Sequence, residues 1–257
     1  IAKDKHVILV DNGDAIQGEP VGTMTKGSAI VGIMEAAGYE VAIPGNHEFD
    51  YGMENFLNIA ENSAYPYISC NFTYEGEPVF DPYVIKEFDG IKVAFVGVTT
   101  PKTFTSSTPT YFQNENGEYV YGFSEDDSGE ALYAAVQSAV DAAREEGATY
   151  VILQAHLGIE AECTPWQSTD VIANTTGIDA VLDGHSHSEL ENELVKNKDG
   201  VETLLVACGT KAKNLGYLNI STEGEFTSGM YTWDYDVSIA NILADTTVGQ
   251  AVSDAMG

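Results

Sequence analysis

The sequence predicts a layered α/β domain containing a mixed sheet or two packed sheets. Two observations point there. Short apolar runs alternate with stretches of helical spacing along most of the 257 residues. A hairpin signal, Asp89-Gly90 between two alternating runs, interrupts that alternation, which argues against a purely parallel sheet. With 44% hydrophobic residues the chain can bury a core as one domain, or one domain plus an appendage.

Each element has its own signal. His6 to Val10 reads as a buried strand delivering Asp11 to Asp14 at its C-terminal end. Ile30, Ile33, Met34 and Ala37 set a helix over 26–37, ended by Gly38. Glu40 to Ile43 is a short strand, 53–62 a helix, and Tyr65 to Cys70 a strand whose end carries Asn71. Pro82 to Phe88 and Ile91 to Val98 are the arms of the hairpin. Residues 101–123 are rich in Thr, Ser, Asn, Tyr and Gly and predict a long excursion near the site, with Phe104, Tyr111, Phe112, Tyr119 and Tyr121 packing locally or lining a pocket. Leu132, Val136, Ala139, Val140 and Ala143 mark one helix face, closed by Gly147. Tyr150 to Gln154 runs as a strand into His156; Val171 and Ile172 suggest a short helix. Asp179 to Leu182, Thr203 to Ala207 and Leu215 to Ile220 follow as strands. Trp233 to Gly257 carries a helical pattern and reads as a connector toward a further, C-terminal domain.

Composition narrows the function classes. The formal net charge is −29, from 11 basic and 40 acidic residues. Such a surface repels nucleic-acid polymers and anionic membranes, while a small phosphorylated substrate remains compatible if bound divalent cations reverse the local field. No apolar run is long enough to span a bilayer. Cys70, Cys163 and Cys208 have no disulfide or zinc-knuckle spacing and are expected to be buried small hydrophobes.

Four of the five histidines lie in short motifs at predicted strand ends: Gly45-Asn46-His47-Glu48-Phe49-Asp50, Gln154-Ala155-His156, and Gly184-His185-Ser186-His187; Gly13-Asp14-Ala15-Ile16-Gln17-Gly18 precedes them. Asp14 reads as a carboxylate that bridges two metal ions or as an Asx residue closing a tight loop. The Asn46 carbonyl oxygen is a workable ligand for a divalent cation, and Gly45 lets backbone approach it closely. His47, next in line, would face a substrate. Asp50, one turn on, would fix its tautomer or cap the following helix. Glu48 reads as a structural acid behind the site. His156 is a metal ligand or a satisfied core histidine. His185 and His187, two apart in an extended segment, would face the same way, unless they are surface histidines. The donors are carboxylate, amide oxygen and imidazole, with no thiolate, which suits Zn²⁺, Mn²⁺, Fe²⁺ or Co²⁺. There is no P-loop or GxGxxG, and neither Ser69 nor Ser186 has a nucleophile-elbow context.

Together these motifs resemble the calcineurin-like metallophosphoesterase superfamily, and within it the branch of 5′-nucleotidases, UDP-sugar hydrolases and 2′,3′-cyclic-nucleotide phosphodiesterases. The resemblance runs from about Val7 to about Ile220. Ala15-Ile16-Gln17 stands where protein Ser/Thr phosphatases carry an arginine soon after Gly-Asp. The resemblance implies a four-layer α/β sandwich of mixed β-sheets flanked by helices, over residues 1–232, with 233–257 as the connector. It implies two divalent cations (Zn, Mn, Fe, Co or Mg) that activate water for in-line attack on a small nucleotide's phosphate ester. It implies Asp14 as bridging ligand, Asn46, His156 and His185 completing one site, His187 in the other, and His47 with Asp50 as catalytic dyad. It further implies export to the periplasm, cell surface or medium, and a C-terminal domain that holds the nucleoside base.

The family's first motif, Asp-x-His, should precede Asp14 by roughly one strand and one helix. No such motif stands there, and Asp4-Lys5-His6 lies at the wrong end of the first strand. The expectation is therefore a catalytic domain truncated at both ends, with one metal site whole and the other reduced to Asp14 and His187. Two alternatives follow: a catalytically impaired fragment holding at most one metal well, or a same-fold phosphodiesterase for cyclic or sugar nucleotides.

Overall fold

The computed structural model describes residues 6–232 and 246–256. The expected connector therefore falls largely outside the described residues, as do Asp4 and Lys5; only a terminal helix, Thr246–Met256, is described beyond residue 232.

A six-stranded mixed sheet forms the centre. Its hairpin, β5 (Tyr83–Phe88) and β6 (Ile91–Thr99), turns through Asp89 at φ 50° and Gly90 at φ 84°. Positive φ at both central residues matches the twist of the flanking strands. β6 then pairs in parallel with β8 (Tyr150–His156), β8 with β9 (Ala180–Asp183), and β9 with β11 (Glu202–Cys208). β10 (Glu189–Lys196) closes the far edge antiparallel to β11. Thr99 lies opposite His156, and Ala155 opposite Asp183, so the parallel strands end level and deliver their following residues to one edge.

The strand alternation sorts two apolar layers. Ala94, Val96, Val98, Val151, Leu153, Val181 and Leu205 pack against helices α5 (Glu130–Glu145) and α6 (Ser168–Asn174). The buried face of α5 is the stripe Leu132, Val136, Ala139, Val140 and Ala143. Full burial of each larger apolar side chain stabilises by roughly 1.5–3 kcal/mol, so one charge at Val136 would open this layer. On the opposite face Val93, Phe95, Ile152, Ala180 and Leu204 meet Val41 and Ile43, with Val10, Leu218 and Ile220 packed beside them. Those partners come from β1 (Leu9–Asp11), parallel to β2 (Tyr39–Ala42), and from β12 (Asn214–Ile220), antiparallel to β13 (Phe226–Thr232). Beyond β2, Ala42 turns outward into a third layer with Val31 and Met34 of α2 (Ser28–Ala37) and Phe56 and Ile59 of α3 (Met53–Asn62). The stacking is helix, sheet, sheet, helix, the mixed four-layer α/β order expected from the sequence.

Several local expectations change. The helix expected over 26–37 begins at Ser28. A separate helix, α1 (Glu19–Thr25), precedes it and ends at Lys26, whose φ of 49° caps it. Residues 65–70 do not form a ladder strand; they run extended with a single bridge, Ala42 to Tyr67, and hydrogen bonds Ala42 N to Pro66 O (3.0 Å) and Ile68 N to Ala42 O (2.9 Å). The excursion 101–123 holds a helical turn, α4 (Thr103–Ser106), a 3₁₀ turn (Pro109–Phe112), and β7 (Tyr121–Gly122), which pairs with β3 (Thr73–Tyr74); β4 (Glu77–Pro78) completes that small sheet. Phe104, Phe112, Tyr119 and Tyr121 pack locally, with Phe112 fully buried against Phe49, Phe104 and Phe123, while Tyr111 is exposed. β10 and β13 escape the sequence pattern because most of their side chains are exposed or only part-buried. Of the cysteines, Cys163 is buried and Cys70 partly so, but Cys208 is exposed, because it is the last residue of β11 where the chain leaves the sheet. Among the described residues no helix is long and apolar enough to cross a membrane.

Candidate metal centre

Four loops meet where the parallel strands end. Asp14 follows β1, Asn46 and His47 follow β2, His156 closes β8, and His185 follows β9. Ligand atoms of Asp14, His156 and His185 lie within 4.8 Å of one another. His156 Nε2 is 3.0 Å from Asp14 Oδ2 and 3.3 Å from Asn46 Oδ1; His185 Nδ1 is 2.8 Å from Asn46 Oδ1.

The donor set fits a cation. His156 Nδ1 is 2.6 Å from the Asn12 carbonyl, which can only accept, so Nδ1 carries the proton. In the neutral ring Nε2 is then a lone pair facing a carboxylate and an amide oxygen. Positive charge at that point stabilises such a convergence. Without a metal a proton supplies it: burial disfavours charge on His156, but the Asp14 carboxylate and the Asn12 carbonyl overcome that and push its pKa up to about 9. Burial would likewise raise Asp14, but His156 holds it down at about 2. Burial, and then the charge on His156, push His185 down to about 4, which leaves it a neutral donor. A divalent cation in place of the proton matches oxygen and imidazole donors, with the Asn12 carbonyl orienting the buried ligand from behind.

The close approach is written in the glycines. A Cβ on Gly45 would sit 2.3 Å from Asp14 Oδ1 and 2.7 Å from His156 Cε1. Asp14, His185 and His187 adopt φ of 65°, 71° and 55°, a region that disfavours side chains, at a cost on the order of 1 kcal/mol each.

Two buried acids hold the loops. Glu48, fully buried, accepts backbone N–H groups from Asp14 (2.7 Å), Ala15 (2.8 Å), Ile16 (3.3 Å) and Gly45 (2.6 Å). That is the structural role its sequence context suggests. Asp183 was not singled out by the motifs: its Oδ1 accepts from Leu157 (3.1 Å), Gly158 (3.2 Å) and Gly184 (2.9 Å), tying the loop after His156 to the loop before His185. A carboxyl residue directly before Gly-His was the available signal. Its burial pushes its pKa up to about 6, against those amides.

The remaining motif residues divide. Asp14 does not close a local turn; its Oδ1 accepts from the His47 amide, 33 residues away, at 2.8 Å, and the Asx geometry belongs to Asp11, whose Oδ2 accepts from Gly13 at 3.0 Å. His47 is half-exposed beside the cluster, and its Nδ1 donates to Asp50 Oδ2 at 2.6 Å. Asp50 does not cap α3, whose N-cap is Gly52. His187 is not brought into the three-residue cluster and is exposed. The same-face argument for His185 and His187 fails because the segment is a bend with positive φ, not an extended strand.

This fold and site can be set against known proteins. The family model described as bacterial capsule synthesis protein PGA_cap matches residues 7–207. The chain belongs to the PGA_cap family. Within the wider superfamily it is a calcineurin-like phosphoesterase of the 5′-nucleotidase and 2′,3′-cyclic phosphodiesterase branch. This PGA_cap-family chain is 29% identical over 218 residues to the trifunctional nucleotide phosphoesterase protein YfkN of Bacillus subtilis, covering 72% of the chain and 14% of that protein. It is 27% identical over 265 residues to a 2′,3′-cyclic-nucleotide 2′-phosphodiesterase/3′-nucleotidase of Haemophilus influenzae, covering 94% of the chain and 36% of that protein. The solved structure of calcineurin-like phosphoesterase YfkN from Bacillus subtilis superposes with a TM-score of 0.70 at 23% identity, over 97% of the chain and 82% of that one. The chain thus spans about a third or less of the length of these curated relatives.

Proposed function

We propose that the chain is the catalytic domain of a metal-dependent phosphoesterase that hydrolyses phosphate esters of nucleotides. The observation that carries this reading is the convergence of Asp14, Asn46, His156 and His185 around a point that would suit a cation, with the His47–Asp50 pair beside it. Similarity to nucleotide phosphoesterases supports the substrate class.

Divalent cations held by these residues would neutralise phosphate charge and lower the pKa of a water. The protein's own groups do the rest. Asp50 accepts the Nδ1 proton of His47, so a protonated His47 presents Nε2–H outward to a phosphoryl or leaving-group oxygen. The His47 amide donates to Asp14 Oδ1, which links the position of the acid to the position of the ligand. Glu48 and Asp183 hold the four loops in register, so little reorganisation accompanies the reaction.

The test is phosphate release from nucleoside 5′-monophosphates and from 2′,3′-cyclic nucleotides by the full natural protein with Mn²⁺ or Zn²⁺. Turnover that falls at least 100-fold in His47→Ala supports the reading. Absence of turnover, or turnover indifferent to that substitution, contradicts it. A second reading, a folded module that holds at most one metal well, is supported by the single three-residue ligand cluster among the described residues. Metal analysis of this chain separates the two: two tightly bound ions per chain defeat the second reading, and one ion without turnover supports it.

A further inference from the structure

We propose that Ser107 is a positioning residue of the phosphoesterase site, fixing Asp50 so that Asp50 in turn fixes the His47 ring; the inference rests on the catalytic reading of His47 given above. The Ser107 hydroxyl donates to Asp50 Oδ1 at 2.7 Å, while the other oxygen, Oδ2, takes the His47 Nδ1 proton at 2.6 Å. Both carboxylate oxygens are therefore committed, one on each side. A carboxylate held by one bond only can rotate about χ2; held by two it presents Oδ2 in one direction. The bond to Asp50 Oδ2 selects the tautomer with hydrogen on Nδ1, and Nε2 is the atom left to meet the substrate.

The backbones that carry this relay are locked together from beneath. Ser107 lies between α4 and the Pro109–Phe112 turn, and its amide donates to Thr103 O at 3.0 Å. Phe112, five residues on, is fully buried and meets the Phe49 ring at 5.2 Å between centroids. Phe49 is the residue before Asp50, and it also packs on Phe56, Phe72 and Phe123. One aromatic cluster thus sets the height of both Asp50 and Ser107. The excursion at residues 101–123, otherwise unrelated to the metal ligands in sequence, acquires a purpose: it brings a hydroxyl to the back of the dyad. Thr108, the next residue, is exposed, and no other side-chain hydroxyl of this excursion is recorded on Asp50 among the described residues.

The experiment compares Ser107→Ala, Ser107→Thr and His47→Ala in the full natural protein loaded with Mn²⁺, with adenosine 5′-monophosphate and bis(p-nitrophenyl) phosphate as probes. Ser107→Ala is expected to lower kcat by about 10-fold with KM changed less than about two-fold, and Ser107→Thr, which keeps the hydroxyl, to restore most of it. A second readout needs no turnover. In metal-free chain labelled with ¹⁵N-histidine, the His47 ring, assigned by its loss in His47→Ala, is expected as the Nδ1–H tautomer in wild type and as a mixture in Ser107→Ala. Loss of activity in His47→Ala with kcat and tautomer unchanged in Ser107→Ala overturns the role of Ser107 alone. Raised KM with unchanged kcat also overturns it. Full activity in His47→Ala overturns the catalytic reading beneath it, and this role with it.

Discussion

Glu48 accepts the backbone amide of Asp14 at 2.7 Å across 34 residues of chain, and the same carboxylate oxygen accepts the amide of Gly45 at 2.6 Å. The first loop and the second are thus fastened by one buried side chain that never needs to touch a metal. Glu48→Gln puts an amide NH₂ against amide N–H donors. It is expected to cost on the order of 3 kcal/mol in urea unfolding and to weaken Mn²⁺ binding by about 10-fold or more. An equilibrium melt together with a metal titration of the purified variant reads both.

Gly45 is where the loops come closest. A Cβ there would lie 2.3 Å from Asp14 Oδ1, inside any tolerable contact. Gly45→Ala is expected to destabilise by about 3 kcal/mol or more and to abolish tight metal binding, because the carboxylate must swing away from His156. Calorimetric titration with Mn²⁺ on protein still folded by circular dichroism checks this.

Asp11 provides the pH prediction. Burial pushes its carboxyl up to about 6, against the lowering effect of the Gly13 amide. A group whose folded pKa exceeds its unfolded value of about 3.9 holds more protons in the folded state between those values. Its contribution therefore favours folding below about pH 4 and is lost as pH rises through 6. In metal-free protein, Asp11→Asn keeps an acceptor for Gly13 and removes this slope. It is expected to raise stability at pH 7 by roughly 2 kcal/mol and to leave it little changed at pH 4. Urea midpoints at the two pH values decide it; equal effects at both would contradict the account.

The two histidines of Gly184-His185-Ser186-His187 are expected to separate. His185 has Nδ1 2.8 Å from Asn46 Oδ1 inside the cluster, and His187 is exposed outside it. His185→Ala is expected to weaken the first metal-binding step by about 100-fold or more, and His187→Ala to change it less than about three-fold. Stepwise metal titration by calorimetry distinguishes them.

Much of the site was legible because strand ends in a layered α/β fold are where chain reversals gather. Asp14, Asn46, His156 and His185 each lie at the end of an apolar run, and the parallel registers of β1 with β2 and of β8 with β9 bring those ends level in pairs. The hairpin at Asp89-Gly90 and the buried stripe of α5 were legible for the same local reason, turn chemistry and helical period. The shared face expected of His185 and His187 does not form, because spacing of two means a shared face only in extended backbone, and left-handed φ is not visible in His-Ser-His. Glu48 was legible as a structural acid, but the distant backbone amides that it and Asp183 hold carry no sequence signal of their own. β10 was hidden because its sequence, Glu-Leu-Glu-Asn-Glu-Leu-Val-Lys, presents mainly exposed side chains, with only Leu190 and Val195 packed on the core. α1 was hidden by Gly18 and by Pro20 in its first turn, which read as loop although Pro is well suited to a helix start.

The most direct test is Mn²⁺-dependent phosphate release from adenosine 5′-monophosphate by the full natural protein and its His156→Ala variant, with and without chelator. The account predicts release that requires Mn²⁺, disappears on chelation, and falls at least 1000-fold when the buried ligand facing Asp14 at 3.0 Å is removed. Equal release by both proteins, or release that survives chelation, would contradict it.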